Sequence, residues 1–355
     1  MTNNHNFLID SSIVLLPDWL EKHGNVTKVE SSDISREILI QNEIEYLVTR
    51  TNVKINKEML EGTKVKFYSS PTSGFDHVDV KYLDSQNIKM HNAKGCNANS
   101  VAEYALFSMI HNYLDKPELL KSKIIGLVGY GNIGKILADY FKRLGLKFII
   151  NDPFKKEEIQ NDEFEYADLD DLISNSHIIT NHVPLTFDGD HPTYHLFNNN
   201  LEKAIDLELF IHTSRGFVVD EPELIKNAFL KKFKLVIDVW ENEPKPDHDL
   251  ISQSIISTPH IAGHSYNGKV FGSMMSYYEL MKIMNEKISF VIPKLPISKK
   301  LDKMSLLEIY QRIELFRKLL DDSKNFKNSA SNNMSLSSSF KNLRKFYPIR
   351  YESIT

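Results

Sequence analysis

The amino-acid sequence predicts an α/β fold: two doubly wound parallel-sheet domains followed by a short C-terminal segment. Three observations lead there. Short apolar runs rich in β-formers alternate with helix-sized amphipathic stretches over most of the chain. One of these runs opens into GLVGYGNIG, residues 126–134, where four of the chain's 14 glycines fall in nine positions. Beyond Ile292–Pro296 the composition shifts and the alternation stops.

Taken in order, the runs Asn6–Asp10, Tyr46–Thr49, Lys66–Ser69 and Lys89–His91 are separated by polar, amphipathic stretches, which makes 1–96 a small α/β domain. From Lys123 the rhythm becomes regular, with Ile124–Val128, Lys147–Asn151, His177–Asn181, Phe210–His212, Leu235–Val239 and Ile255–Ser257. A helix-sized segment lies between most neighbours, so 97–268 is expected to form a parallel, doubly wound sheet. Gly268 to Glu286 keeps Val270, Met274, Tyr277, Tyr278 and Met281 on one face, and a helix there would carry 269–290 back to complete the first domain. Ser305–Leu320 is amphipathic, with Leu306, Ile309, Tyr310, Ile313 and Leu320 along one stripe. The polar, low-complexity run SKNFKNSASNNMSLSSS follows, and FKNLRKFYPIRYE then brings back aromatics and arginines. A segment with one good helix buries little area alone, so 291–355 is expected to pack on another subunit as a dimerisation segment.

Charge and composition exclude several roles. A net charge of −4 and a pI near 6.4 leave no basic surplus for a nucleic-acid backbone, and no block of one sign argues for a membrane surface. No apolar run approaches the roughly 20 residues of a membrane span, and MTNNHNFLID lacks the basic start and apolar core of a secretory signal, so a cytoplasmic location is expected. The single cysteine, Cys96, excludes an intramolecular disulfide framework and reads as a small packing residue beside Gly95.

The glycine cluster has a geometric reason. Gly129, Gly131 and Gly134 form G-x-G-x-x-G between an apolar run and a helix whose apolar positions Ile133, Ile136, Leu137, Tyr140, Phe141 and Leu144 recur at helical spacing. Gly129 permits the tight turn, Gly131 lets a pyrophosphate approach the backbone, and Gly134 allows the helix to pack closely on the sheet. The start of that helix, at Asn132 and Ile133, offers unpaired N–H groups and a positive dipole end to phosphates. Asp152 ends the next run, 18 residues past Gly134. A carboxylate there accepts hydrogen bonds from a ribose 2′-hydroxyl and repels a 2′-phosphate, which indicates NAD rather than NADP.

Ligands of an open parallel sheet bind beyond the carboxyl ends of its strands. Arg215 in HTSRG, Glu243 in DVWENEP and His260 in TPHIAG all fall at or just after such ends. Their types suit hydride chemistry on a hydroxy acid. The planar fork of Arg215 can hold a carboxylate and polarise the reacting carbon. His260 can exchange the hydroxyl proton near neutral pH, while Glu243 holds the imidazole and favours its charged form. No metal is needed in this scheme, and none of the other histidines has the spacing of a metal pair.

With these residues in view, the chain resembles the D-2-hydroxyacid dehydrogenase family through GYGNIG, Asp152, HVPLT (182–186), TSRGFVVDEPEL, DVWENEP and PHIAG. SGFDHVD (73–79), KGCNANSVAEY (94–104), HIAGHSYNGKVFG (260–272) and FKNLRKFY narrow the likeness within the family. The resemblance implies a Rossmann-type NAD domain, a flavodoxin-like substrate domain and a homodimer. The implied reaction converts 4-phospho-D-erythronate and NAD to 2-oxo-3-hydroxy-4-phosphobutanoate and NADH, in pyridoxal phosphate biosynthesis. It implies Arg215 and Glu243 as active-site residues and His260 as proton donor or acceptor. Asp152, Val183, Thr213, Ser214, Arg215, Asp238 and Gly263 would line NAD, while Thr51, Thr72 and His264 would meet the substrate. His264 stands where a tyrosine is usual, and Val183 where a threonine is usual. Arg50, beside Thr51 at a strand end, is the expected partner of the substrate phosphate, helped by Arg344 from the tail of the other subunit. Two alternatives stay open: another family member, such as a phosphoglycerate dehydrogenase, or a corepressor-like protein that binds NAD without turnover.

Overall fold

Two all-parallel sheets carry the chain in a computed structural model that describes residues 5–331 and 335–355. The first is built from β1 (His5–Asp10), β2 (Gly24–Val29), β3 (Tyr46–Val48), β4 (Phe67–Ser70) and β5 (Lys89–Asn92), in the order β2-β1-β3-β4-β5. This is the flavodoxin-like order. The second comprises β6 (Ile124–Val128), β7 (Lys147–Asn151), β8 (Ile178–Asn181), β9 (Leu209–His212), β10 (Lys234–Ile237) and β11 (Ile256–Ser257), in the order β11-β10-β9-β8-β6-β7. The strand that sequence patterning misses is β2. Its residues GNVTKV are all half-buried or exposed, at a sheet edge, so no apolar run marks it.

The chain divides into two compact units. The first takes the chain up to Asn97 together with Ser265–Leu295, and the second takes Ala98–His264 together with Pro296–Thr355. In the first, the two faces of the sheet are covered separately, as a parallel sheet requires. Phe7, Ile9, Tyr46, Val48 and Phe67 meet Trp19, Leu20 and the helix Tyr266–Met284 through Tyr277, Leu280 and Met281. Leu8, Leu47 and Tyr68, on the opposite face by the period-two alternation of a strand, pack with Leu39, Leu60 and Leu83.

In the second unit, the helix Ala98–Asn112 is buried along most of its length and lies with Ile125, Leu127, Ile211 and Val236 in one apolar cluster. The C-terminal stretch is part of this unit. Leu301, Leu306, Ile309 and Ile313 enter that same cluster, and the Tyr310 ring stacks on Phe107 at 4.6 Å. On the other face, Phe326 and Phe340 join Val128, Phe210, Ile237 and Trp240. The segment expected to lie against another subunit therefore packs extensively on its own chain.

Two local features account for this packing. The serine- and asparagine-rich run is helical over Leu319–Ser331 and Leu336–Lys345, with 332–334 outside the described residues. Within it Phe326 and Ala330, one helical turn apart, supply a buried stripe too narrow to register in composition. At the end of the chain, Ile354 bridges Lys299, and the Ser353 and Ile354 N–H groups donate to Glu103 Oε1 at 2.6 and 2.8 Å.

This in-chain docking is testable. Phe326 is fully buried against Trp240 and Phe340, so Phe326→Ala should cost about 3–5 kcal/mol in denaturant unfolding. A loss below about 1 kcal/mol, the size of an ordinary surface change, would mean that the ring does not sit there.

Candidate active site

The strand order of the second sheet turns back at β6, which has β7 on one side and β8 on the other. Such a switch point opens a crevice at the carboxyl ends. The three glycines after β6 have three different reasons to be glycine. Gly129 has φ 95°, and a Cβ there would stand 3.0 Å from the carbonyl of His182, at the end of β8. At Gly134 a Cβ would run into the Gly129 carbonyl oxygen, so no side chain fits between helix and turn. At Gly131, among the described residues, no heavy atom lies within 4 Å of where a Cβ would stand.

Gly131 caps the helix Asn132–Leu144 from extended backbone, and both Gly131 and Asn132 are exposed. Asp152 follows β7 and accepts from Tyr130 N–H at 2.9 Å, which ties the carboxylate to the glycine turn. An open helix start, space beside Gly131 and a carboxylate one strand over suit the pyrophosphate and ribose of a dinucleotide.

Val183 lies against this turn, its Cγ1 being 3.1 Å from where a Gly129 Cβ would stand. Thr213 and Ser214, buried after β9, bond to the end of β8: Thr213 Oγ1 is 3.2 Å from His182 Nδ1, and Asn181 Nδ2 donates to Ser214 Oγ at 3.1 Å. Burial pushes the His182 and His212 imidazoles down to about 3 and about 4, so both stay neutral and serve as hydrogen-bonding parts of the scaffold.

The loops after β9, β10 and β11 carry Arg215, Glu243 and His260. Gly216 approaches Trp240 so closely that a Cβ would collide with the Trp240 carbonyl, which sets the Arg215 turn against the Glu243 loop. Arg215 Nη1 donates to the Ser214 carbonyl at 2.9 Å. Glu243 accepts from Trp240 N–H at 3.2 Å, and its two oxygens lie 3.0 and 2.9 Å from His260 Nδ1. With Nδ1 donating to the carboxylate, a neutral imidazole keeps Nε2 as its proton acceptor. Burial would raise the Glu243 carboxyl, but His260, Arg344 and the Trp240 N–H together hold it below the usual carboxylate range.

Arg344 Nη1 lies 3.9 Å from Glu243 Oε2. Arg344, expected to reach a phosphate from a second subunit, thus sits beside the Glu243–His260 pair of its own chain. It belongs to the helix Leu336–Lys345, whose helical character the serine-rich composition conceals.

His260 itself has φ 57°, a left-handed conformation that is strained for a residue with a Cβ. Asp238 anchors it. Its carboxylate is buried and accepts from Thr258 Oγ1 at 2.6 Å, Ile261 N–H at 2.7 Å and Ala262 N–H at 3.0 Å, and its carbonyl accepts from His260 N–H at 2.7 Å. Asp238, expected along NAD, has its carboxylate turned into this loop. Gly263 and His264 follow directly, and the His264 ring meets Tyr347 edge-on at 5.4 Å.

The other residues expected to meet the substrate, Arg50, Thr51 and Thr72, lie in the first unit. Arg50 and Thr51 follow β3, and Thr72 follows β4 with its Oγ1 2.7 Å from Ser70 Oγ. Sequence reading missed Lys269, on the helix Tyr266–Met284. One turn further along, at Gly272, this helix closes onto the Pro71 carbonyl. Burial and the nearby Arg50 guanidinium both push the Lys269 amine down, so two cations gather near this strand end. No motif marks Lys269, because its neighbour Arg50 is distant in sequence. Among the described residues no group of three His, Cys, Asp or Glu side chains could hold a metal ion, and no helix is long and apolar enough to cross a membrane.

Residues 109–262 match the family model described as D-isomer specific 2-hydroxyacid dehydrogenase, NAD binding domain. Among solved structures, the D-lactate dehydrogenase of Aquifex aeolicus complexed with NAD and lactic acid has TM-score 0.64 at 24% identity, covering 79% of this chain and 96% of that one. The NAD-bound 3-phosphoglycerate dehydrogenase of Entamoeba histolytica has TM-score 0.64 at 21% identity, covering 82% and 99%. The fold and the matched domain are those of the NAD-dependent D-2-hydroxyacid dehydrogenases. An erythronate-4-phosphate dehydrogenase of Wigglesworthia glossinidia brevipalpis is 39% identical over 287 residues, covering 79% of this chain and 73% of the relative. Another, from Shewanella baltica, is 33% identical over 357 residues, covering 97% and 92%. The chain belongs to the erythronate-4-phosphate dehydrogenase family.

The glycine geometry predicts a split phenotype. Gly131→Ala should change stability by no more than about 0.5 kcal/mol in denaturant melts, yet weaken NAD by roughly tenfold or more in a fluorescence titration. Gly134→Ala should lose about 3 kcal/mol or more of stability, because the backbone atoms it meets cannot yield.

Proposed function

We propose that the chain oxidises 4-phospho-D-erythronate to 2-oxo-3-hydroxy-4-phosphobutanoate with NAD, a step in pyridoxal 5′-phosphate biosynthesis, and that Arg215, Glu243 and His260 perform it. The observation that carries this reading is the pairing of His260 Nδ1 with both oxygens of Glu243, on loops at the carboxyl end of an NAD-type sheet. Gly129, Gly131, Asn132, Ile133 and Gly134 would hold the pyrophosphate of NAD, Asp152 its ribose, and Val183, Thr213, Ser214 and Gly263 would line the remainder of the cofactor. When bound, NAD supplies the hydride acceptor.

The chain's own residues do the rest. Arg215 clamps the substrate carboxylate and fixes the C2 hydroxyl toward His260. His260 Nε2 takes the hydroxyl proton as hydride leaves C2, and the Glu243 carboxylate stabilises the imidazolium that results. In the reverse direction the same nitrogen returns the proton. Thr51, Thr72 and His264 contact the substrate, and Arg50 with Lys269 neutralises its phosphate. The first unit is the substrate domain and the second the NAD domain. We read the protein as a cytoplasmic homodimer. The exposed apolar side chains Ile288, Val291, Ile292 and Ile297, with Val291 and Ile297 each 82% accessible, support an interface near 288–297.

The test is NADH absorbance with 4-phosphoerythronate, unphosphorylated erythronate and 3-phosphoglycerate as substrates. His260→Ala should bind NAD normally while turnover of 4-phosphoerythronate falls about 10²–10⁴-fold. Preference for 3-phosphoglycerate would overturn the substrate, and NAD binding without turnover of any hydroxy acid would overturn the enzyme.

A pH profile tests Arg344. Removing its charge lets the Glu243 carboxyl rise, so the Glu243–His260 pair holds its proton to higher pH. Oxidation needs the deprotonated pair, so Arg344→Gln should move the acid limb of kcat/KM to higher pH, and Arg344→Lys should restore most of the shift.

A further inference from the structure

We infer that Arg317, at the end of the C-terminal helix Leu306–Arg317, is a positioning residue that holds the His260 loop, making the C-terminal segment a working part of its own chain's active site. This rests on the reading of His260 as the proton-transfer group. The loop is gripped on two sides. Its N–H groups are held by Asp238 through Ile261 and Ala262. Its carbonyl side is held at Ala262, whose oxygen accepts from Ser100 Oγ at 2.8 Å and from Arg317 Nη2 at 2.9 Å.

The guanidinium spans two elements at once. Arg317 Nη1 donates to the Ser100 carbonyl at 3.0 Å, so one planar fork links the loop to the first turn of the helix Ala98–Asn112. Arg317 is fully buried, as is Glu103, whose Oε2 lies 3.6 Å from Arg317 Nη1. Glu103 Oε1 in turn accepts from the Ser353 and Ile354 N–H groups. A continuous line of polar contacts therefore runs from the end of the chain through Glu103 and Arg317 to Ala262, two residues from His260.

The loop needs such bracing. His260 holds a left-handed φ of 57°, a conformation that persists only where its surroundings over-determine it. Its Nδ1 must stay within hydrogen-bond reach of Glu243 for Nε2 to remain the accepting nitrogen. An ammonium could answer the charge of Glu103, but it cannot bridge two carbonyls in the geometry of the fork. Arg317 touches none of the reacting groups and acts only through the loop.

The experiment counts active sites by NAD titration and reports kcat per NAD-binding site, so that partial unfolding drops out. Arg317→Lys should lower kcat per site about tenfold, with KM for 4-phosphoerythronate and the Kd of NAD changed less than about twofold. Ser100→Ala, which removes the other donor to the same carbonyl, should lower kcat per site about threefold. The double variant should fall short of the product of the two effects, because both act on Ala262. Unchanged kcat per site in both single variants overturns the inference. If Arg317→Lys does not fold, Arg317→Gln measured the same way decides, a lowered kcat per site supporting the inference and an unchanged one overturning it. His260→Ala, measured alongside, separates the two claims: retained turnover there sinks the reading of the site, whereas lost turnover there with normal kcat in the other variants sinks only the role of Arg317.

Discussion

The pairing of His260 Nδ1 with both oxygens of Glu243 demands that two loops, each following its own strand, meet within about 3 Å in a part-buried setting. Much of the second unit is organised to satisfy that demand. Parallel strands deliver all their carboxyl ends to one edge, so β9, β10 and β11 release Arg215, Glu243 and His260 on the same side. The tight approach of Gly216 to Trp240 then brings the Arg215 turn down onto the Glu243 loop. Asp238 uses both carboxylate oxygens and its carbonyl to hold the turn that carries His260. A carboxylate so fully hydrogen-bonded tolerates burial, and it fixes the backbone without entering the chemistry itself.

The nucleotide end of the sheet works by a different economy of space. Gly129 and Gly134 are glycine because neighbouring backbone leaves no room, whereas Gly131 is glycine beside open space. The first two reasons lie in the fold, whereas the third leaves room for a ligand. The three residues look alike in the motif, and only their surroundings separate them. The neutral histidines His182 and His212 complete this edge, joining β8 to the turn after β9 through bonds that an imidazolium could not make in so dry a setting.

The C-terminal segment shows where composition misleads. A run of serines and asparagines resembles a chain too polar to pack, yet a helix needs only one apolar stripe to dock. Phe326 and Ala330 supply that stripe on one helix and Phe340 joins them from the next, and Arg317 pairs with Glu103 in full burial. Neither composition nor hydropathy reports a buried arginine, since its burial depends on carbonyls contributed by distant residues. Arg344 is similar: its proximity to Glu243 follows from the path of three helices.

The sequence by itself determined the two sheets and the cofactor class, and it singled out three ionisable side chains at strand ends. Strand alternation, the glycine spacing, Asp152 and the strand-end positions of Arg215, Glu243 and His260 are all local patterns, legible because backbone geometry repeats with short periods. It did not show β2, whose half-exposed edge position erases the apolar signal, nor Lys269 or Arg317. Tertiary structure alone decided that the tail packs on its own chain, that Asp238 faces the His260 loop, and that Arg344 stands beside Glu243. The physical reason is one of range: periodicity encodes which face of an element is buried, but which distant groups share that burial is set only when the elements close on one another.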